Sequence, residues 1–130
     1  MNVLIIGGTG LLGYQASQEL LSRGHQVKIL ALPPLPASGL FPESIEIQLK
    51  NLNLMPDSEV EELLTGADAV IFAAGADDRV TPISPAYPFF YKQNVEPVKR
   101  LACIGKSVGL KKLIILGSYF AYFDRLWPQM

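Results

Sequence analysis

The chain has one cysteine in 130 residues, Cys103. That excludes an internal disulfide and any cysteine-based zinc cluster. No charge of one sign dominates: 11 Lys and Arg stand against 12 Asp and Glu, for a net charge of -1. Both signs are scattered, so neither a nucleic-acid footprint nor a polybasic membrane patch is present. No apolar run approaches the roughly 20 residues that cross a bilayer. The amino terminus enters an apolar strand directly, without the basic start and cleavage site of a signal peptide. These absences make a cytoplasmic location, with no nucleic-acid and no membrane partner, the expectation. Repeats and low-complexity tracts are also missing. What remains is a chain that is 49% hydrophobic, which argues against disorder and fits one domain with one modest core.

Strand and helix signals alternate along it. Val3–Ile6 reads as a buried strand, since β-branched and apolar residues fill both faces. Leu11–Arg23 reads as a helix with Leu12, Ala16, Leu20 and Leu21 near one face, ended by Gly24. Val27–Leu32 is a second strand, broken by Pro33-Pro34-Leu35-Pro36. Ile45–Leu49 is a third. Asp57–Leu64 follows as a helix, with Asp57 or Ser58 near its cap. Asp68–Ala74 is the fourth strand, and a proline-rich loop covers Val80–Pro88. A long helical pattern from Phe89 to Val108 contains Pro97, which should kink or restart it. Leu113–Leu116 is the fifth strand. Five buried strands alternating with helices imply an α/β fold with a doubly wound parallel sheet covered on both faces. Right-handed crossovers favour the order 3-2-1-4-5, with ligands at the carboxyl ends of the strands.

The chemistry centres on Gly7-Gly8-Thr9-Gly10-Leu11-Leu12-Gly13, between the first strand and the first helix. A helix start carries unpaired N–H groups and partial positive charge, and glycines let a phosphate approach them. The pattern therefore points to a bound dinucleotide: one glycine makes the turn, one admits the pyrophosphate, one lets the helix pack close to the strand. A tight turn without a ligand is the alternative.

Four stretches together resemble the extended short-chain dehydrogenase/reductase family, the nucleotide-sugar epimerases, dehydratases and related reductases. They are the glycine turn from Ile6 to Gly13, the strand Asp68-Ala69-Val70-Ile71-Phe72-Ala73-Ala74-Gly75, the helix from Tyr91 through Asn94-Val95 to Gly109, and Leu113-Ile114-Ile115-Leu116-Gly117-Ser118. The resemblance implies that residues 1–130 form a Rossmann domain for NAD or NADP. It implies that Gly7, Gly10 and Gly13 hold the pyrophosphate, with Thr9, Leu11 and Leu12 lining the turn. Ala73, Ala74 and Gly75 would pass beneath adenosine and ribose. Asn51 and Leu52 stand where the family has Asp-Leu beside the adenine, or form an ordinary loop. Asn94 would organise the site or the helix bend, or bond local backbone near Pro97. Ser118 would be the active-site hydroxyl that bonds the substrate oxygen of a small molecule, in a hydride transfer at a hydroxyl or keto carbon.

Two departures from the family stand out. The second strand ends in Ala31-Leu32-Pro33, with neither the acid that bonds ribose hydroxyls nor the arginine that accepts a 2′-phosphate, so NAD and NADP both stay open. Lys28 lies within the strand and is not assigned to a phosphate; Arg79, after the fourth strand, is a better-placed cation, or faces solvent. The second departure is the family's Tyr-x-x-x-Lys pair, in which the lysine lowers the pKa of the acid/base tyrosine. Neither Tyr119 nor Tyr122 has a lysine four residues on, and no lysine follows Lys112. The chain alone is therefore expected to be inactive. It reads as the amino-terminal part of a longer enzyme, truncated before the catalytic helix and substrate domain; the alternative is a non-catalytic NAD(P)-binding sensor or interaction module. Cys103 is expected to be a packed small side chain and His25 an exposed turn residue. The aromatics Tyr87, Phe89, Phe90 and Tyr91 read as core or interface, or, as the resemblance implies, help enclose substrate; Tyr119, Phe120, Tyr122, Phe123 and Trp127 pose the same choice, which leaves a homo-oligomer open.

Overall fold

The computed structural model describes residues 1–77 and 79–118. The expectations for Tyr119, Phe120, Tyr122, Phe123 and Trp127 lie outside them. Five strands, β1 (Asn2–Ile6), β2 (Gln26–Ala31), β3 (Glu46–Leu49), β4 (Ala69–Phe72) and β5 (Lys112–Ile115), form one sheet in the order 3-2-1-4-5. Every pairing is parallel, with Ile5 aligned to Ile29 on one side and Ile71 on the other. The helices are α1 (Leu11–Ser22), α2 (Asp57–Leu64), α3 (Ala86–Asn94) and α4 (Glu96–Ser107). This is the doubly wound Rossmann-like arrangement expected from the alternation of signals. Among the described residues, no helix is long and apolar enough to cross a membrane.

Alternating side chains of β1 feed two cores, because successive residues of a strand point to opposite faces. Leu4 and Ile6 join Leu30, Val70 and Phe72 under Val60, Leu63 and Leu64 of α2 and Leu101 of α4. Val3 and Ile5 join Val27, Ile29 and Ala31 under Ala16, Leu20 and Leu21 of α1.

Local chemistry moved several boundaries. In α1 the fully buried positions are Gly13 and Ser17, and Leu12 is 62% exposed. Of the expected apolar face, Ala16, Leu20 and Leu21 do pack on the sheet, and Leu12 does not. The start of α2 is capped by Pro56, with no side-chain cap bond, and Asp57 is its first helical residue. The long helical pattern restarts at Pro97, one of its two expected outcomes, and forms two helices. Val95, at φ -108° and ψ -52°, separates α3 from α4, and Pro97 sits in the first turn of α4. There its missing N–H costs no helical bond. The same reasoning lets α3 begin at Ala86, earlier than expected, with Pro88 in its own first turn. Among the described residues, β5 pairs with β4 only and is less buried than the other strands, with Ile114 and Ile115 half exposed. Cys103 is exposed on α4 and not packed. α3 buries no residue fully, and Tyr87 lies on the surface.

Candidate functional site

All five strands run in parallel, so Ile6, Ala31, Leu49, Phe72 and Ile115 end on one edge of the sheet. Every expected site residue lies at or just beyond that edge. The turn after β1 is the tightest part of it. Gly7 has φ +82°, a conformation that only glycine adopts freely. A side chain there would also lie 2.7 Å from the Ala74 nitrogen and 2.9 Å from the Ala73 carbonyl carbon. The glycine turn and the exit of β4 are thus in backbone contact, Gly7 against Ala73 and Ala74.

From Gly7 the chain turns into α1. Gly10 N–H donates to the Gly7 carbonyl at 3.1 Å, and Tyr14 N–H donates to the Gly10 carbonyl at 2.8 Å. Gly10 is the N-cap, makes no side-chain cap bond, and is followed by no acidic residue in the first turn. By helix geometry, the N–H groups of Leu11, Leu12 and Gly13 have no carbonyl within the helix to bond. Their partial positive charge is not offset by a neighbouring carboxylate. A side chain on Gly10 would meet only the Gly7 oxygen, at 3.4 Å, so the space outside the turn is open. Thr9 is half-buried beside it. This is the donor set that fits a pyrophosphate.

Asn94, the last residue of α3, holds the opposite side. Its Oδ1 accepts the Ala76 N–H at 2.7 Å, and its Nδ2 donates to the Ala76 carbonyl at 2.9 Å. Both ends of one amide clasp both polar groups of one residue. A side chain on Gly75 would lie 3.0 Å from Asn94 Oδ1. Of the two roles left open for Asn94, bonding near Pro97 is not what is seen; it reaches across to the β4 exit.

Asn51 caps a short 3-10 turn at Leu52–Leu54, its Oδ1 accepting the Asn53 N–H at 3.0 Å. Leu52 is buried in the core with Leu4, Ile6 and Phe72. Ser118 lies exposed just past β5, whose continuation is tied to β4 by the Leu116 N–H on the Phe72 carbonyl at 3.0 Å. At the end of β2, Ala31 is buried and Leu32 is exposed. No carboxylate meets a ribose from these two residues. Lys28 pairs with Glu46 at 2.9 Å and holds that carboxyl below its ordinary pKa. Arg79 hydrogen-bonds Asp77 through Nε, at 2.9 Å to each oxygen, and likewise lowers the Asp77 pKa. A charged groove of about 300 Å³ lined by Lys28, Gln48, Lys50, Glu59 and others contains none of the expected site residues. No group of metal-ligating side chains occurs among the described residues.

The sequence profile of the NAD dependent epimerase/dehydratase family matches residues 3–125. The chain belongs to that family. A protein of Klebsiella pneumoniae described as UDP-glucose 4-epimerase is 30% identical over 138 residues, covering 96% of this chain and 94% of that one. Among solved structures, MoeE5 in complex with UDP-glucuronic acid and NAD is similar at a TM-score of 0.77 and 24% identity, over 94% of this chain and 38% of that one. The UDP-glucose 4-epimerase of Bifidobacterium longum, in complex with NAD+ and UDP, is similar at a TM-score of 0.76 and 22% identity, with the same coverage. The chain thus spans about two fifths of the length of these solved family members.

Sequence reasoning did not foresee one further residue at this edge. Arg100 of α4 donates to the carbonyls of Leu52 and Met55 and to Asp57. A lone arginine in a helical pattern carries no signal of this, because its main partners are backbone atoms.

Proposed function

We propose that the chain binds a NAD-type dinucleotide, as the nucleotide-binding part of an oxidoreductase that acts on a sugar nucleotide by hydride transfer at a hydroxyl or keto carbon. The observation that carries this is the uncapped start of α1, held against the β4 exit by Gly7, with open space outside Gly10. NAD, when bound, accepts or returns the hydride. Gly7, Gly10 and Gly13 would let the pyrophosphate reach the N–H groups of α1, with Thr9, Leu11 and Leu12 forming the rim. Ala73, Ala74 and Gly75 would lie under the adenosine and its ribose, held in place by Asn94. Asn51 and Leu52 would border the adenine. Ser118 would hydrogen-bond the substrate oxygen at the carboxyl end of β5.

The acid/base pair has no counterpart in these 130 residues, since none of the five tyrosines is followed by a lysine four positions on. That favours binding without turnover by this chain, either because the pair belongs to a further part of the enzyme or because the chain is a non-catalytic sensor. Calorimetric titration with NAD and NADP tests the binding. We expect a Kd tighter than about 1 mM, or about -4 kcal/mol, and its loss in Gly10→Val, whose side chain would occupy the pyrophosphate's path. No heat at millimolar ligand, or full affinity in Gly10→Val, would sink the reading. A hydride-transfer assay with UDP-sugars on the same sample separates the roles: reduction of NAD by this chain alone would refute binding without turnover.

A further inference from the structure

We propose that Arg100 is a positioning residue for the adenosine end of the nucleotide site, a role that rests on the dinucleotide reading above. Its side chain is about three-quarters buried, at 26% exposure. The guanidinium donates from Nη1 to the Leu52 carbonyl at 2.9 Å, from Nη2 to the Met55 carbonyl at 2.5 Å, and from Nε to Asp57 Oδ1 at 2.6 Å. Leu52 and Met55 bracket the 3-10 turn that Asn51 caps. A single turn of this kind has few bonds of its own: Leu54 N–H to the Asn51 carbonyl at 2.9 Å and Met55 N–H to the Leu52 carbonyl at 3.3 Å. The planar fork of Arg100 therefore supplies much of what fixes the loop.

The same helical unit holds the facing wall. Gln93 Oε1 accepts from Asn53 Nδ2 at 3.3 Å, and its neighbour Asn94 clasps Ala76. One pair of helices thus ties down two loops that leave the sheet from β3 and β4, with β2 and β1 between them. The loop at Asn51 and the loop at Gly75 both border the space where an adenine would lie, and their separation is set from behind by residues 93, 94 and 100. Arg100 touches no ligand in this arrangement; it acts through the backbone of residues 52–55.

The test uses the full chain with two probes, AMP for the adenosine end and inorganic pyrophosphate for the glycine turn. Arg100→Met keeps the apolar stem and removes the donors. We expect it to weaken AMP and NAD alike, about tenfold, and to leave pyrophosphate binding unchanged. Amide exchange at Leu54 and Met55 should quicken while β1 and β2 stay protected. Arg100→Lys, with one charged group and no fork, should recover at most part of the AMP affinity. In an Asn51→Ala background the further effect of Arg100→Met on AMP should shrink, because the two act on one loop. Equal weakening of AMP and pyrophosphate would mean general loosening and overturn the role, as would unchanged AMP affinity. If the unaltered chain binds neither AMP nor NAD, the nucleotide reading fails and this role with it; faster exchange at Leu54 and Met55 would then show that the clamp itself is real and the ligand assignment is what failed.

Discussion

Gly13→Ala is the sharpest probe of the glycine turn. A methyl group at this position would overlap the Gly7 carbonyl oxygen and lie 2.7 Å from Gly8 Cα and 3.0 Å from the Gly7 carbonyl carbon. All three neighbours are backbone atoms, so no side chain can rotate away. Carbon–carbon contacts are comfortable near 3.5–4.0 Å, and α1 would have to retreat by about 1 Å to restore them. That retreat strains the Gly10–Gly7 and Tyr14–Gly10 bonds that start the helix. Overpacking of this kind costs about 1–3 kcal/mol, and rigid neighbours put it at the upper end. Alanine's better helix propensity returns about 1 kcal/mol, leaving a net loss of about 2 kcal/mol. At about 3–5 °C per kcal/mol for a chain of this size, Tm should fall by about 6–10 °C. Gly10→Ala is the control: its nearest neighbour is 3.4 Å away, its φ of -75° and ψ of 169° suit any residue, and only the N-cap preference is lost, about 0.5–1 kcal/mol. Thermal unfolding followed by circular dichroism decides. If the two variants melt together, the close approach of α1 to the turn is not what Gly13 is for.

Three further outcomes are expected. Leu101→Ala, at a fully buried site shared by α4 and the sheet, should cost about 2–5 kcal/mol in urea unfolding; a loss below 1 kcal/mol would show that α4 is loosely docked. Asp68 accepts the Asn2 N–H at 2.9 Å and pairs with Lys111, and both lower its pKa, the backbone bond most. A depressed folded-state pKa gives stability that is present above the ordinary carboxylate range and is lost as pH falls through the lowered value, so the stability gap between the unaltered chain and Asp68→Asn should be open at pH 7 and close in acid; a gap independent of pH would refute the assignment. Because β2 ends in Ala31-Leu32, NAD and NADP should bind within about tenfold of each other, or 1.4 kcal/mol, and Leu32→Asp, at the exposed one of the two, should shift the preference toward NAD; a strong NADP preference in the unaltered chain would point to a cation that Ala31 and Leu32 do not reveal.

The sheet order was legible because β-branched runs, glycine stops and connection lengths leave few parallel topologies. The glycine turn was legible because its spacing encodes backbone contact, and Gly7 and Gly13 make that contact. The packing of α1 was legible in part: Ala16, Leu20 and Leu21 do face the sheet, but periodicity weighs large apolar residues and passes over Gly13 and Ser17, the most deeply buried positions, while Leu12 is exposed. Among the described residues Cys103 and β5 are less buried than expected, because apolar or small side chains signal burial without naming the element that would cover them. The bonds of Arg100 and Asn94 were out of reach because both residues address backbone groups distant in the chain, which no side-chain pattern records.

The central position of β1 has a consequence for the order of assembly. Its neighbours are β2, which follows soon in the chain, and β4, which does not: Asn2 and Asp68, hydrogen-bonded across this boundary, are 66 residues apart. During synthesis the β2 side can close early, while the other edge of Val3–Ile6 waits for β4 with its amides and carbonyls unpaired. An open, apolar strand edge is a template for pairing with another chain. Nascent chains that have emerged only through β3 thus carry such an edge until β4 arrives.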